Sequence, residues 1–291
     1  RLIGVGDPFQ NIYGFRGADA TSMDQLREQF SATVLPLSIS YRCSKAVVRE
    51  AQKYVEGIEA FEHAPEGSVE KMVGYSVTDF TVDDAVLCRN NAPLIKIAYQ
   101  FIARGMAVNF LGRDLGGGLK TLVSNMKAKD LTELSIKLDA WLKRESDKLI
   151  AKRQEEKIEQ LEDKVNCIEI FTQYLPEDRQ TVADLLVAID SLFDRKGGLT
   201  LSSAHKSKGR EWHNVFILDF DKLMPSSFAK KEWQKTQENN LIYVAITRAQ
   251  TNLRYIASDS WKDQPNMVLP EKKVSSSPKK TKVAKFNPFE K

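Results

Sequence analysis

Short runs dominated by Val, Ile and Leu recur along the chain, at LIGVGD, TVLPLS, DAVLCR, VNFLG, LTLSSA, NVFILDF and NLRYIAS. They are apolar throughout rather than alternating, which is the pattern of strands buried on both faces of a helix-covered parallel sheet. Helical patterns fall between several of them. Ser44 precedes Val47, Val48, Ala51, Tyr54 and Val55, so the spacing predicts a capped helix there. Pro93 suits a first helical turn and opens a second helix running through Phe101. The fold class expected is α/β with a mostly parallel sheet.

The rhythm breaks between about Leu115 and Lys196, a stretch opened by Gly116, Gly117 and Gly118 and closed by Gly197 and Gly198. Leu131, Leu134, Leu138, Trp141 and Leu142 share one helical face, and RESDKLIAKRQEEKIEQLEDK supplies a charged middle. An all-helical insertion is expected, its charges forming a solvated face or, alternatively, a DNA or partner surface. From Pro265 the chain turns to Lys, Ser and Pro with few apolar residues, too few to offset the entropy of ordering, so a disordered basic tail is expected. That tail is either a solubilising segment or one that meets DNA phosphates or a protein partner through FNPFEK.

Composition narrows the class without fixing it. With 42% hydrophobic and 28% charged residues the chain reads as an ordinary globular protein, and its formal charge of +4 selects no partner by itself. Cys43, Cys88 and Cys167 lie far apart with no C-x-x-C pair, which argues against a disulfide framework or a zinc site and for a reducing, cytoplasmic setting. No apolar run approaches the roughly 20 residues that span a bilayer, so no membrane partner is expected. The chain begins with Arg on a strand-like run, as a fragment of a longer protein would.

Four constellations carry candidate chemistry. VGDPFQNIYGFRGA sets Gln10, Tyr13, Phe15 and Arg16 in a short loop after an apolar run, and aromatics beside a cation can stack bases at about 1–3 kcal/mol each. Core aromatics beside a turn are the alternative. SISYRCS ends a strand on Tyr41 and Arg42, which suits a purine face and a phosphate or, equally, a structural pair. LTLSSAHKSKGREWHNVFIL places Ser203, His205, Lys206, Lys208 and Glu211 between two strands, donors for phosphates and an acceptor for a ribose hydroxyl. ENNLIYVAITRAQTNL reads as a helix with Leu241, Val244 and Ala245 facing the core and Arg248 one turn past Val244. A salt bridge anchoring that helix would explain Arg248 as well.

Taken jointly and in this order, VGDxxQxIYGFRGA, SYR, HxxKGxE and YVAxTRA resemble motifs III, IV, V and VI of the UvrD/Rep-type superfamily 1 DNA helicases, and DAVLCRNNAPLIKIAYQFIARGMAV resembles the segment that follows motif IV. The resemblance implies RecA-like domains, of the P-loop NTPase type, arranged as follows. Residues 1–32 would end a first RecA-like domain, 33–114 and 199–262 would form the second, 115–198 would be the helical insertion and 263–291 the tail. It implies that Gln10, Arg42 and Arg248 are catalytic, Gln10 sensing the γ-phosphate and the two arginines acting as fingers on it. Tyr41 would stack on adenine and Glu211 would hold the ribose. Tyr13, Phe15, Arg16, Ser203 and His205 would contact DNA.

Departures from the pattern limit what transfers. Asn239 and Asn240 stand where an arginine pair is usual, which weakens any ion-pair network there, and Ser203, Arg210 and Trp212 replace the usual Thr, Leu and Phe. The insertion is also much shorter than the corresponding domain of the large members. No G-x-x-x-x-G-K-[ST] run occurs in the sequence, so the phosphate grip and the Mg²⁺ ligands are expected outside it. The function expected is the C-terminal part of an ATP-dependent, 3′–5′ DNA helicase acting as a monomer on single-stranded and duplex DNA, inactive alone, with ATP and Mg²⁺ as cofactors. The alternative is a stand-alone single-strand-binding or regulatory module without motor activity.

Overall fold

The computed structural model describes residues 3–14 and 22–262. Phe15 and Arg16 and the tail from residue 263 onward lie outside the described residues. After a short 3-10 turn at Pro8–Gln10 come helix α1 (Ser22–Gln29), strand β1 (Ile39–Ser40), α2 (Lys45–Ala51), β2 (Glu59–Ala60), β3 (Ser68–Lys71) and β4 (Ala85–Cys88). Next are α3 (Ala92–Ile102), β5 (Val108–Leu111), then α4 (Arg113–Met126), α5 (Leu131–Ala151), α6 (Ile158–Gln173) and α7 (Val182–Phe193). The chain continues with β6 (Leu199–Ser203), β7 (Trp212–Leu218), α8 (Phe220–Leu223), α9 (Glu232–Ile246) and β8 (Ala249–Ile256).

Six strands form one parallel sheet in the order β3-β8-β7-β4-β6-β5. Its central strands are apolar at every position because both faces are covered. Along β4, Val86 and Cys88 enter one core while Ala85 and Leu87 enter the other, and along β7 Phe216 and Leu218 separate from Val215 and Ile217 in the same way. Helices α3 to α7 cover the first face and α2 and α9 the second. Each fully buried Val, Leu, Ile or Phe among them contributes about 1.5–3 kcal/mol.

Five of the seven apolar runs form strands of this sheet, and the first two do not. Ile3, Val5, Val34, Leu35 and Leu37 are exposed and outside strands, because no neighbour offers them a ladder; only Ile39–Ser40 pairs, with Glu59–Ala60, in a separate two-stranded sheet. Conversely β3 is an edge strand whose mixed GSVEK sequence gave no apolar run.

Gly116, Gly117 and Gly118 lie inside α4 rather than in a linker. The helix presses on α7 so closely at Gly116 that a β-carbon there would meet the Phe193 ring at 2.7 Å, and packing thereby overrides the low helix propensity of the run. Helices α4 to α7 share one core with the sheet. The charged middle is not uniformly solvated either, since Glu159 and Asp163 are buried. Asp163 accepts from the backbone N–H groups of Asn91 and Ala92 at 2.9 Å, so α6 caps the start of α3. Ser44 occupies the N-cap of α2, but its hydroxyl donates to the Thr251 carbonyl at 2.8 Å and docks the helix on β8 instead of capping it.

Candidate nucleotide and nucleic-acid site

Register divides the candidate residues between opposite ends of the sheet. Ser203 aligns with Cys88, and Cys88 with Leu218, at the carboxyl ends of β6, β4 and β7. Trp212 aligns with Ala249 at the amino ends of β7 and β8, which puts Glu211 and Arg248 at that opposite edge. Because β6 and β7 are both parallel to β4, which lies between them, residues 204–211 must return from one edge to the other. That single crossing loop therefore carries His205 at one end and Glu211 at the other. Tyr41 and Arg42 also depart from expectation: they follow the two-residue β1, not a strand of the main sheet.

At the amino edge Arg42 is ion-paired through Nε with Glu211, whose other oxygen accepts from Gln250 Nε2 at 3.0 Å. Arg248 is 1% exposed. Its Nε donates to the Val244 carbonyl at 2.9 Å, Nη1 to the Arg210 carbonyl at 3.0 Å and Nη2 to Thr247 Oγ1 at 3.2 Å, leaving two of five N–H donors without a partner among the described residues. Burial, then the neighbouring Arg42 charge, lowers the Arg248 pKa from its usual range. Two guanidiniums are thus close enough to feel each other's charge, and among the described residues Glu211 is the carboxylate paired with one of them. Tyr41 stands beside them, 74% exposed, its ring 4.8 Å from that of Phe61. Cys43, buried beneath, has its thiol pKa raised by desolvation and donates to the Thr247 carbonyl at 3.7 Å.

The second group forms around residues 7–14. Asp7 caps the 3-10 turn by accepting from Phe9 N at 2.9 Å, and its other oxygen takes Gln10 Nε2 at 2.8 Å. Tyr13 donates its hydroxyl to the His205 carbonyl at 3.1 Å. Lys208 donates to the Gln10 carbonyl at 2.8 Å and lies 5.5 Å from the Tyr13 ring centre. Lys206, by contrast, is paired with Asp114, whose pKa it lowers. Gln10, Tyr13 and His205 are thereby brought together, and Gln10 makes no described contact with Arg42 or Arg248. Ser203 is 7% exposed at the end of β6.

Helix α9 connects the groups. Asn240 Nδ2 donates to the carbonyls of Pro8 at 3.3 Å and Asn11 at 3.0 Å; one turn on, the Tyr243 ring meets Phe9 edge to face at 6.5 Å, and Arg248 follows two residues after the helix ends at Ile246. Asn240 is buried and acts as an anchor, a role the missing arginine pair gave no hint of. Arg89 was also missed. Burial would lower its pKa, but Glu238 and then Glu159 hold it above the usual range. It donates to Glu238 at 2.8 Å and Glu159 at 3.2 Å, and Ser226 joins both carboxylates. Among the described residues no cluster of three or more His, Cys, Asp or Glu is placed to hold a metal ion. No helix among them is long and apolar enough to cross a membrane.

Parts of the chain are similar to known proteins. Residues 118–260 match the UvrD-like helicase C-terminal domain. The chain is 26% identical over 283 residues to the F-box DNA helicase protein 1 of Schizosaccharomyces pombe, covering 87% of this chain and 30% of that protein. It is 46% identical over 48 residues to the ATP-dependent DNA helicase srs2 of the same yeast, covering 16% of this chain and 5% of that protein. The chain therefore spans less than a third of the length of these curated relatives. Among solved structures, a crystal structure of the C-terminal domain of a possible DNA helicase from Lactobacillus plantarum WCFS1 overlaps 75% of this chain and 87% of its own, at 12% identity and a TM-score of 0.33.

Proposed function

We propose that this chain, whose residues 118–260 match the UvrD-like helicase C-terminal domain, supplies one wall of an ATP site and part of the DNA track of a DNA helicase. The observation that carries this reading is the pair of guanidiniums, Arg42 and the buried Arg248, balanced among the described residues by Glu211. A phosphate chain set against them would relieve their repulsion and take the free Arg248 donors, and planar guanidinium forks suit phosphate oxygens. The exposed Tyr41 ring is available to an adenine, and Glu211, beside Arg42, to a ribose hydroxyl. ATP when bound would supply the phosphoryl bond whose hydrolysis drives movement, with Mg²⁺ held by residues outside this sequence.

The chain's own part is electrostatic and positional. Arg42 and Arg248 would stabilise charge developing on the terminal phosphate, the part that in other nucleotide hydrolases is worth about 10³–10⁵ in rate. Gln10 and Tyr13, with Phe15 and Arg16, would lie along the strand, and the crossing loop would bring His205 and Ser203 to its phosphates. Movement would be 3′ to 5′, by opening and closing of the ATP site.

The test uses the complete protein and its Arg248→Ala variant. DNA-stimulated ATP hydrolysis is expected to fall at least 10³-fold with most single-strand affinity kept, and unchanged turnover would remove Arg248 from this role. The 291-residue chain alone is expected to hydrolyse ATP at background rate with or without DNA. Robust turnover by that chain would overturn the division of the site.

A further inference from the structure

An open groove of about 480 Å³ lies between α2 and edge strand β3, at the opposite rim of the sheet from β5. One wall is the α2 face formed by Ala46, Arg49, Glu50 and Lys53, and the other is residues 66–70. The backbone of the strand is only half used. Met72 N–H donates to the Tyr255 carbonyl of β8 at 2.9 Å, and backbone groups alternate in direction along a strand, so Ser68 and Glu70 share that side while Val69 and Lys71 turn theirs outward. Among the described residues, nothing meets the outward N–H and carbonyl groups of Val69 and Lys71. An open edge flanked by a helix is the arrangement that accepts an extended segment as a further strand.

The segment best placed to fill it is the continuation of this chain. Beyond β8 the backbone is tied to the stretch that follows β3: Tyr75 N–H donates to the Ser260 carbonyl at 3.1 Å and Lys262 N–H to the Tyr75 carbonyl at 2.8 Å. Trp261 is buried there, its ring centre 5.2 Å from that of Tyr75 and 5.3 Å from that of Phe101. The chain therefore leaves Lys262 near the carboxyl end of β3, and a return along the open side runs antiparallel to it. Pro265 and Pro270 bracket Asn266, Met267, Val268 and Leu269, a stretch that matches the 4 residues of β3, with a proline at each limit where a ladder ends. Past Pro270 the same direction takes Lys272 and Lys273 to the amino end of β3. Glu56, Glu59, Glu62 and Glu66 are exposed there, and no Lys or Arg occurs between Lys53 and Lys71. Arg49 pairs with Glu66, and the other three form no ion pair among the described residues.

We propose that residues 266–269 add to the open edge of β3 as an antiparallel strand. The tail then covers an edge that would otherwise template association with other chains. It also closes over α2, whose first residue, Lys45, comes three residues after Arg42, and holds that helix against the sheet.

Amide hydrogen exchange of the 291-residue chain tests this at Val69 and Lys71. Both amides are expected to exchange at least about 10-fold more slowly in the parent than in Met267→Pro/Val268→Pro. One of two adjacent residues must face the ladder, and proline has no N–H to give it. Val274→Pro, beyond the paired stretch, leaves the two amides as slow as in the parent, and the amides of β4 are unchanged in both variants. Exchange at Val69 and Lys71 that is equally fast in the parent and the double variant overturns the proposal. Protection that survives the double variant overturns it as well, since something other than residues 266–269 then covers the edge. Protection that fades on dilution from about 100 to about 1 μM would mark pairing between two copies and overturns docking within one chain.

Discussion

At the scale of single residues, Asn240 shows how a site can be anchored by a group that no pattern announces. Its amide reaches carbonyls 232 and 229 residues away in sequence, so its partners exist only once the fold has formed. Read along the chain, it is merely a neutral residue in place of a cation. Asn240→Leu is expected to cost about 1–3 kcal/mol, the penalty of leaving two carbonyls without their donor. Because the loss is local, hydrogen exchange at Asn11, Ile12 and Tyr13 should quicken more than exchange in β4 and β7. Equal quickening throughout would mean that Asn240 supports the whole fold and not the loop. Arg248 was legible from its motif, but its depth was not: at 1% exposure, with three donors spent on its own helix, hydroxyl neighbour and crossing loop, it is as much a lock on α9 as a group facing a phosphate.

At the scale of elements, periodicity located what both faces of the sheet bury and failed where burial was absent or mixed. Runs DAVLCR and NVFILDF became central strands because helices cover both sides, whereas TVLPLS has no ladder partner, so its Val34, Leu35 and Leu37 side chains stay exposed. The glycine run in α4 is the inverse case, composition that argues against a helix and a helix nonetheless. The three glycines are not equivalent. Gly116 faces Phe193, while a β-carbon on Gly117 or Gly118 meets nothing within 4 Å. Gly117→Ala and Gly118→Ala are each expected to raise unfolding free energy by up to about 1 kcal/mol through helix propensity. Gly116→Ala should instead lower it by about 1–3 kcal/mol by forcing the α4–α7 contact apart. Urea unfolding of the three variants decides this, and a stabilised Gly116→Ala would show that Phe193 can move aside without loss.

At the scale of the whole molecule, the helical stretch is tied to the rest by more than a shared apolar face. Arg89 leaves the carboxyl end of β4 and meets Glu159 from α6 and Glu238 from α9, with Ser226 closing the set, so distant stretches of chain converge on one half-buried cation. Sequence patterning read Glu159 as part of a solvated run because charge alternation on a helix says nothing of what packs against it. The convergence matters for the site because α9 also carries Asn240, Tyr243 and the approach to Arg248, so the position of α6 bears on both candidate groups through one helix. Arg89→Met is expected to cost about 3–5 kcal/mol, since it leaves two buried carboxylates without their cation. Removing the charges together, in Arg89→Met/Glu159→Met/Glu238→Met, should recover most of that stability, because well-packed apolar replacements of a buried ion cluster are often neutral. The triple variant in the complete protein then separates the two roles. If α6 positions α9 through charge, DNA-stimulated turnover stays low although unfolding free energy has returned. If turnover returns with stability, the network serves the fold alone.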